Sequence, residues 1–348
     1  MPSIGIMTCG GDCPGLNAAI RGAVFRARER DATVIGFNYG FEGLVRDRWM
    51  PLSRQNTWEI LNRGGSILGC SGENPFRDNP AEADAAVATF KKHGLDSLIV
   101  IGGNSSMGTA LLAEERGIPI VGIPKTIDND VEGTDITIGF DTAVATAAEA
   151  IDRLRTTAES HDRVMIIETM GRDFGWIAVA AGIAGGADIT LTPEEPVDVA
   201  AVAQAIRARQ ERGMEFTIIV IGEGATFKGE DVQYGSHLPG ERYLHLSGVG
   251  AALADRLEAL EPLRWKLTVS VIGHLQRGGP PSAYDRILAS RFGVRAVDAA
   301  MDGHTGNMVA MRNGKITLTP LAEVAGRLKS VDPELMKDAY AFTESIRG

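Results

Sequence analysis

Three cysteines in 348 residues are too few for a disulfide framework. Cys9, Cys13 and Cys70 are also badly spaced for a zinc site, so a reducing cytosol is the expected compartment. No apolar run approaches the roughly 18 residues that a membrane-spanning helix needs, and Met1–Gly11 lacks the basic-then-apolar pattern of a secretory leader. A soluble, cytoplasmic protein is expected, with no membrane partner. Low-complexity stretches and long runs of like charge are missing too, which argues against disordered tails. The formal net charge is −10, which disfavours nucleic acid or an anionic membrane as the main partner. It does not forbid a small anionic substrate, because backbone N–H groups and local cations bind phosphate against an acidic background. What is present is ample core-forming material: 44% of residues are hydrophobic and 23% charged, enough for two domains or one large α/β unit.

Short apolar runs alternate with amphipathic stretches. Strands are expected at Ile4–Thr8, Ala32–Phe37, Ser97–Ile101, Ile120–Ile123, Val164–Glu168, Ile189–Leu191, Thr217–Ile221 and Leu267–Ile272. Helices are expected between them, at Leu16–Arg30, Ala81–His93, Ser105–Glu115, Phe140–Ala158, Trp176–Ala184, Val197–Arg212, Gly248–Ala259 and Tyr284–Met301. This alternation predicts an α/β protein with two doubly wound domains, each a mainly parallel sheet flanked by helices. A boundary is expected near Gly139, where the loop Lys125–Ile138 gives way to a long helix.

In such sheets ligands sit beyond the carboxyl ends of strands, and five strand-to-helix loops there carry unusual chemistry. Thr8–Asn17 is rich in glycine, which lets the backbone approach a phosphate at a helix start; it is neither a Walker loop nor GxGxxG. It is equally compatible with a tight turn that binds nothing. Ile101–Gly108 is a second glycine-rich exit, or simply a helix start capped by Asn104 or Ser105. Pro124–Asp130 sets two carboxylates beside a hydroxyl and a cation, a set suited to taking a proton from an alcohol and handling phosphate or metal; a surface Asx-turn is the plainer alternative. Glu168–Arg172 places an arginine at a strand end, where it suits an anion or a surface salt bridge. Gly273–Gly279 brackets a histidine and an arginine with glycines.

Together these loops resemble the phosphofructokinase A family along essentially the whole chain. The matching strings are GGDCPGLNAAIR (Gly10–Arg21), PKTIDND (Pro124–Asp130), GTDITIGFDTA (Gly133–Ala143), ETMGRDFGW (Glu168–Trp176) and GHLQRGGPPSAYDRILASR (Gly273–Arg291). The resemblance implies phosphoryl transfer from ATP or pyrophosphate, with Mg2+, to a hydroxyl of a sugar phosphate such as fructose 6-phosphate. It implies a homotetramer, a dimer of dimers with shared active sites. It also implies a larger donor domain of residues 1–139 plus 276–326 and a smaller acceptor domain of residues 140–275 plus 327–348. Carried over position by position, Asp128 is the base, with Thr126 and Asp130 supporting the transferring group and Arg172 stabilising its charge. Gly11, Gly103, Asn104, Ser105 and Lys125 face the donor, and Asn104 and Asp130 hold the metal. Met170, Gly171, Glu223, His274 and Arg277 contact the sugar phosphate, with Arg163 reaching in from a neighbouring subunit.

Three positions depart from the family pattern. Asn104 replaces a metal-binding aspartate and is a weaker ligand for a hard cation. Gly72 and Thr268 stand where arginines grip the substrates. These losses leave three readings open: ordinary fructose 6-phosphate chemistry, a different acceptor (another sugar phosphate, a polyol or a nucleoside-type hydroxyl), or a non-catalytic binding homologue. Ser105, small and neutral, favours ATP as donor; Lys125 is compatible with either donor. A nicotinamide-dependent dehydrogenase is the most distant alternative, since neither glycine loop has dinucleotide spacing.

Overall fold

The computed structural model describes residues 1–230, 232–237, 244–260 and 265–342. The expected end of the acceptor domain, beyond residue 342, lies outside the described residues. In chain order the strands are β1 (Ser3–Thr8), β2 (Thr33–Phe37), β3 (Trp49–Leu52), β4 (Ser97–Gly102), β5 (Ile120–Pro124), β6 (Arg163–Thr169) and β7 (Ile189–Leu191). They continue with β8 (Thr217–Gly222), β9 (Gly235–His237), β10 (Leu244–Leu246), β11 (Lys266–Val271), β12 (Asn307–Arg312) and β13 (Lys315–Pro320). The chain forms two compact units, Met1–Thr142 with Arg277–Lys329, and Ala143–Gln276 with Ser330–Gly348.

The first unit is built on a seven-stranded sheet in the order β13-β12-β5-β4-β1-β2-β3. Its central strands are parallel and read as continuous apolar runs because helices cover both faces; every residue of β4 and β5 is buried. Only the two ends are antiparallel, where β3 joins β2 and β13 joins β12. The second unit carries an all-parallel four-stranded sheet in the order β11-β6-β8-β7, with β8 wholly buried. Its core packs Ile166, Ile219 and Ile221 of the sheet against Ile206 and Leu253 of the flanking helices. Burying each such side chain stabilises the fold by about 1.5–3 kcal/mol.

The helices start where local chemistry allows. Val199–Glu211 begins on Asp198, whose carboxylate accepts from the N–H groups of Ala200 and Ala201. Ala283–Met301 begins on Ser282, which accepts from Asp285 N–H. The long helix Phe140–Ser160 is anchored at its first turn by Asp285, whose buried carboxylate accepts from Gly139 N–H at 2.9 Å and from Thr142 N–H at 2.9 Å. Among the described residues no helix is long and apolar enough to cross a membrane.

Candidate active site

In the first unit β1, β4 and β5 are neighbours, and Thr8 stands level with Ile101 and Gly102 with Pro124. The loops that follow them therefore leave the sheet side by side. Strand order reverses between β1 and β4, the switch point at which open α/β sheets bind ligands. Helix Leu16–Glu29 begins on Gly15 at φ 108, and helix Asn104–Glu115 begins on Gly103; neither has a side-chain cap. No side chain claims their first-turn N–H groups. Those of the second helix, where Asn104 is half-buried and Ser105 exposed, can meet an anion, which the helix dipole favours, whereas Leu16, Asn17 and Ala18 of the first are fully buried. The expectation that Asn104 or Ser105 caps the second helix is thus corrected. Asn104 is its first helical residue, and its amide donates to Asp130 O at 3.1 Å instead.

Two cations hold the glycine loop. The Lys125 ammonium, 3% exposed, donates to Gly11 O, and Arg277 Nη1 donates to Asp12 O at 3.3 Å. Arg277 thus lies against the Gly10–Gly15 loop. The loop walls a cavity of about 400 Å³ with Ser66, Gly69 and Cys70. Behind it Thr8 Oγ1 donates to Gly69 O at 2.6 Å, and Gly10 N–H reaches Ser71 O at 2.9 Å. Burial pushes the Cys9 thiol up to about 12 and raises Cys13 and Cys70 as well. A larger cleft of about 730 Å³ around Arg54, Trp58 and Arg63 contains none of the loop residues.

The Pro124–Asp130 segment is a braced turn. Asp128 N–H donates to Thr126 Oγ1 at 3.2 Å. Asn129, at φ 51, is buried and accepts from Thr137 N–H at 3.0 Å; asparagine is among the few residues that tolerate this left-handed conformation. Thr137 Oγ1 in turn donates to Thr126 O at 2.7 Å. Lys329, far along the chain, donates its N–H to Asp130 O at 2.8 Å and its ammonium to Thr134 O and Asp135 O at 2.8 and 2.9 Å. Its burial lowers the Lys329 pKa to about 8, opposed by the carboxylates of Asp135, Glu132 and Asp130.

The residues expected to hold a metal fit that task in part. Asn104 Oδ1 is buried without a hydrogen-bond partner, beside Asp130, so an acceptor oxygen is available for a hard cation. Among the described residues no group of three or more His, Cys, Asp or Glu side chains could hold a metal. Magnesium commonly takes one or two protein oxygens and completes its shell with phosphate and water, which suits this sparse set.

In the second unit the exits of β6, β8 and β11 are adjacent, with Thr169 level with Gly222 and Glu168 with Val271. Met170–Arg172, Glu223 and His274 therefore leave one edge of that sheet together. Glu223 N–H donates to Thr169 O at 2.8 Å. A Cβ on Gly224 would lie 1.8 Å from Arg172 O, so only glycine lets the two loops lie this close. Glu168, 1% exposed, accepts from the N–H groups of Gly248 and Gly250 at 3.0 and 2.8 Å and through its own carbonyl from Ile272 at 3.0 Å. Glu194 accepts from Gly175 N–H at 3.0 Å, at the start of helix Trp176–Gly185. Met170 is buried, Arg172 and Glu223 are partly exposed, and His274 is exposed.

Arg163 is not brought to this group. It starts β6, about 20 Å along the strand from Thr169, and its Nη1 donates to Thr268 Oγ1 at 3.2 Å. Three participants in this geometry were not singled out from sequence as site residues: Lys329, Glu168 and Glu194. Glu168 stood in a recognised string, whereas Lys329 has no local signal.

The two doubly wound units, with glycine exits at a switch point and a carboxylate turn beside them, define an α/β phosphate-handling protein. A family model described as phosphofructokinase matches residues 3–300. An ATP-dependent 6-phosphofructokinase of Spirochaeta thermophila is 45% identical over 343 residues, covering 95% of this chain and 93% of that protein. A pyrophosphate--fructose 6-phosphate 1-phosphotransferase of Amycolatopsis methanolica is 46% identical over 341 residues, covering 97% and 99%. Among solved structures, a phosphofructokinase from Saccharomyces cerevisiae superposes with a TM-score of 0.80 at 29% identity; the match covers 93% of this chain and 45% of that one. The chain belongs to the phosphofructokinase family.

Proposed function

We propose that the protein transfers a phosphoryl group from ATP or pyrophosphate to a hydroxyl of fructose 6-phosphate, giving fructose 1,6-bisphosphate. The observation that carries this reading is the braced carboxylate turn lying next to two uncapped, glycine-rich helix starts on neighbouring strands. Asp128 takes the proton of the acceptor hydroxyl as its oxygen bonds to phosphorus, and the donor's bridging P–O bond breaks, releasing ADP or phosphate. Thr126 and Asp130 support the group in transit, and Arg172 stabilises its charge. Gly11, Gly103, Asn104, Ser105 and Lys125 face the donor from the first unit. Met170, Gly171, Glu223 and His274 take the sugar phosphate from the second, with Arg277 as a further phosphate contact. Asn104 and Asp130 would hold Mg2+, which when bound neutralises charge on the donor phosphates.

The split between ATP- and pyrophosphate-dependent relatives leaves both donors in the proposal, and the small, neutral Ser105 favours ATP. The assembly we propose is a cytoplasmic homotetramer in which Arg163 serves a neighbouring subunit's site. Arg163 stands at the start of β6, at the opposite end of the strand from the Met170–Arg172 exit, which supports that role. A second reading, a family member with another acceptor, is favoured by Gly72, which supplies no cation, and by Thr268, whose hydroxyl is already engaged by Arg163.

The deciding experiment is a donor-by-acceptor panel with product mass detection, with Mg2+ present and chelated. Asp128→Ala should reduce turnover by about 10²–10⁴-fold while leaving the melting curve unchanged. No transfer from either donor to any sugar phosphate or polyol would sink the proposal.

A further inference from the structure

The loop that carries Asp128, from Lys125 to Gly139, has no helix or strand of its own. Among the described residues its only ladder contacts are isolated bridges, Lys125 with Ile138 and Val131 with Leu328. Such a segment needs tethers to hold a carboxylate in one direction. Some are internal, Thr126 Oγ1 on Asp128 N–H and Asn129 with Thr137, and others come from the β12–β13 hairpin, where Met311, Arg312, Asn313 and Thr319 bond to Gly133–Asp135. Nearer the carboxylates, two outside contacts converge on Asp130 O, Asn104 Nδ2 at 3.1 Å and Lys329 N–H at 2.8 Å. Lys329 does more than close that one bond. Its ammonium turns back and donates to Thr134 O at 2.8 Å and Asp135 O at 2.9 Å, so a single side chain and its own amide grip the loop at both ends of Asp130–Asp135.

A lysine whose role was only to face solvent would not direct its ammonium at two backbone carbonyls from a partly buried position. Desolvating that charge costs free energy which the carbonyl contacts must offset. Lys329 is also the last residue of the first unit, so the chain leaves that unit at the residue fastened to this loop. We infer that Lys329 is a positioning residue for Asp128 and Asp130, clamping the main chain on which both carboxylates are mounted. The inference rests on the reading of Asp128 as the base.

The test compares the full-length wild type with Lys329→Met, which keeps the apolar stem and loses the ammonium, and Lys329→Arg, which keeps two or more donors. A misplacement of about 1 Å can cost on the order of 10²-fold in rate. The Met variant should therefore lose about tenfold or more in kcat, with KM for each substrate within about twofold. The Arg variant should recover part of the loss. Amide hydrogen exchange in the substrate-free protein should speed up over residues 126–135 in Lys329→Met and stay near wild type in Lys329→Arg. Should Lys329→Met not fold, Lys329→Gln replaces it, with an intermediate kcat expected. Unchanged kcat with unchanged exchange, or an equal kcat loss in the Met and Arg variants, overturns the inference. A wild-type protein without turnover defeats the proposed function instead, and the exchange result then decides by itself whether Lys329 clamps the loop.

Discussion

Apart from Asp285 on Gly139 and Thr142 in the first unit and Arg155 and Arg209 on carbonyls in the second, the two units brace their loops mainly with opposite charges. In the first, cations tie down carbonyls: Lys125 on Gly11, Arg277 on Asp12, Lys329 on Thr134 and Asp135. In the second, buried or half-buried carboxylates tie down N–H groups: Glu168 on Gly248 and Gly250, Glu194 on Gly175. The difference decides what is left for a ligand. With its carbonyls engaged and its helix starts uncapped, the first unit can meet an anion with main chain. In the second, the N–H groups at Gly175, Gly248 and Gly250 are already taken, so an anion must be met by side chains such as Arg172 and His274.

The contrast breaks most visibly at its charges. Hydrogen bonds to a charged group contribute about 1.5–3 kcal/mol, so Glu168→Gln should lower stability in urea by that order and raise KM for the sugar phosphate. Lys125→Met should raise KM for the donor. If Glu168→Gln disturbs the donor and Lys125→Met the acceptor, the division of labour is wrong. A smaller effect is expected where a cation is restored. A Cβ at Gly72 meets nothing within 4 Å, so Gly72→Arg should fold normally and lower KM for fructose 6-phosphate by about tenfold, the low end of a charge-assisted contact. Thr268→Arg should fail to help, because it sets a second guanidinium where Arg163 now donates to the threonine hydroxyl. A gain from Thr268→Arg alone would show that Arg163 is free to move aside. The smallest effect is at the thiols. Burial raises all three, Cys9 to about 12, so alkylation near pH 8 should be slow and accelerate as pH rises. Cys70, on the cavity wall, should react first and be shielded by the donor; equal labelling with and without donor would remove it from that wall.

The fold was legible wherever apolar periodicity alone carries it. The runs that became β4 and β8 are buried throughout, and their shortness favours a strand over a helix. The β12–β13 hairpin was also legible and was missed: Asn313-Gly314, both at positive φ, is the turn signal that joins two antiparallel strands. The β3 edge was harder, since Pro51 interrupts its pattern. Site residues followed from glycine and carboxylate strings, but their tethers did not. Asn104 resembles a helix cap in sequence, yet the carbonyl of Asp130, 26 positions on, claims its amide. Lys329 lies 194 or more positions from the loop it holds, so only the folded chain reveals it.

The helices that start at the donor loops have a thermodynamic consequence. Helices Pro80–Lys92, Val199–Glu211 and Ala283–Met301 each begin with a side-chain oxygen on a first-turn N–H, a contact worth about 0.5–2 kcal/mol. Those beginning at Gly15 and Gly103 do without it. An anion bound at these starts would stabilise the protein through linkage. Heat resistance of the empty protein and affinity for phosphate would then draw on the same N–H groups, so a serine or aspartate at position 103 that improved the first is expected to weaken the second.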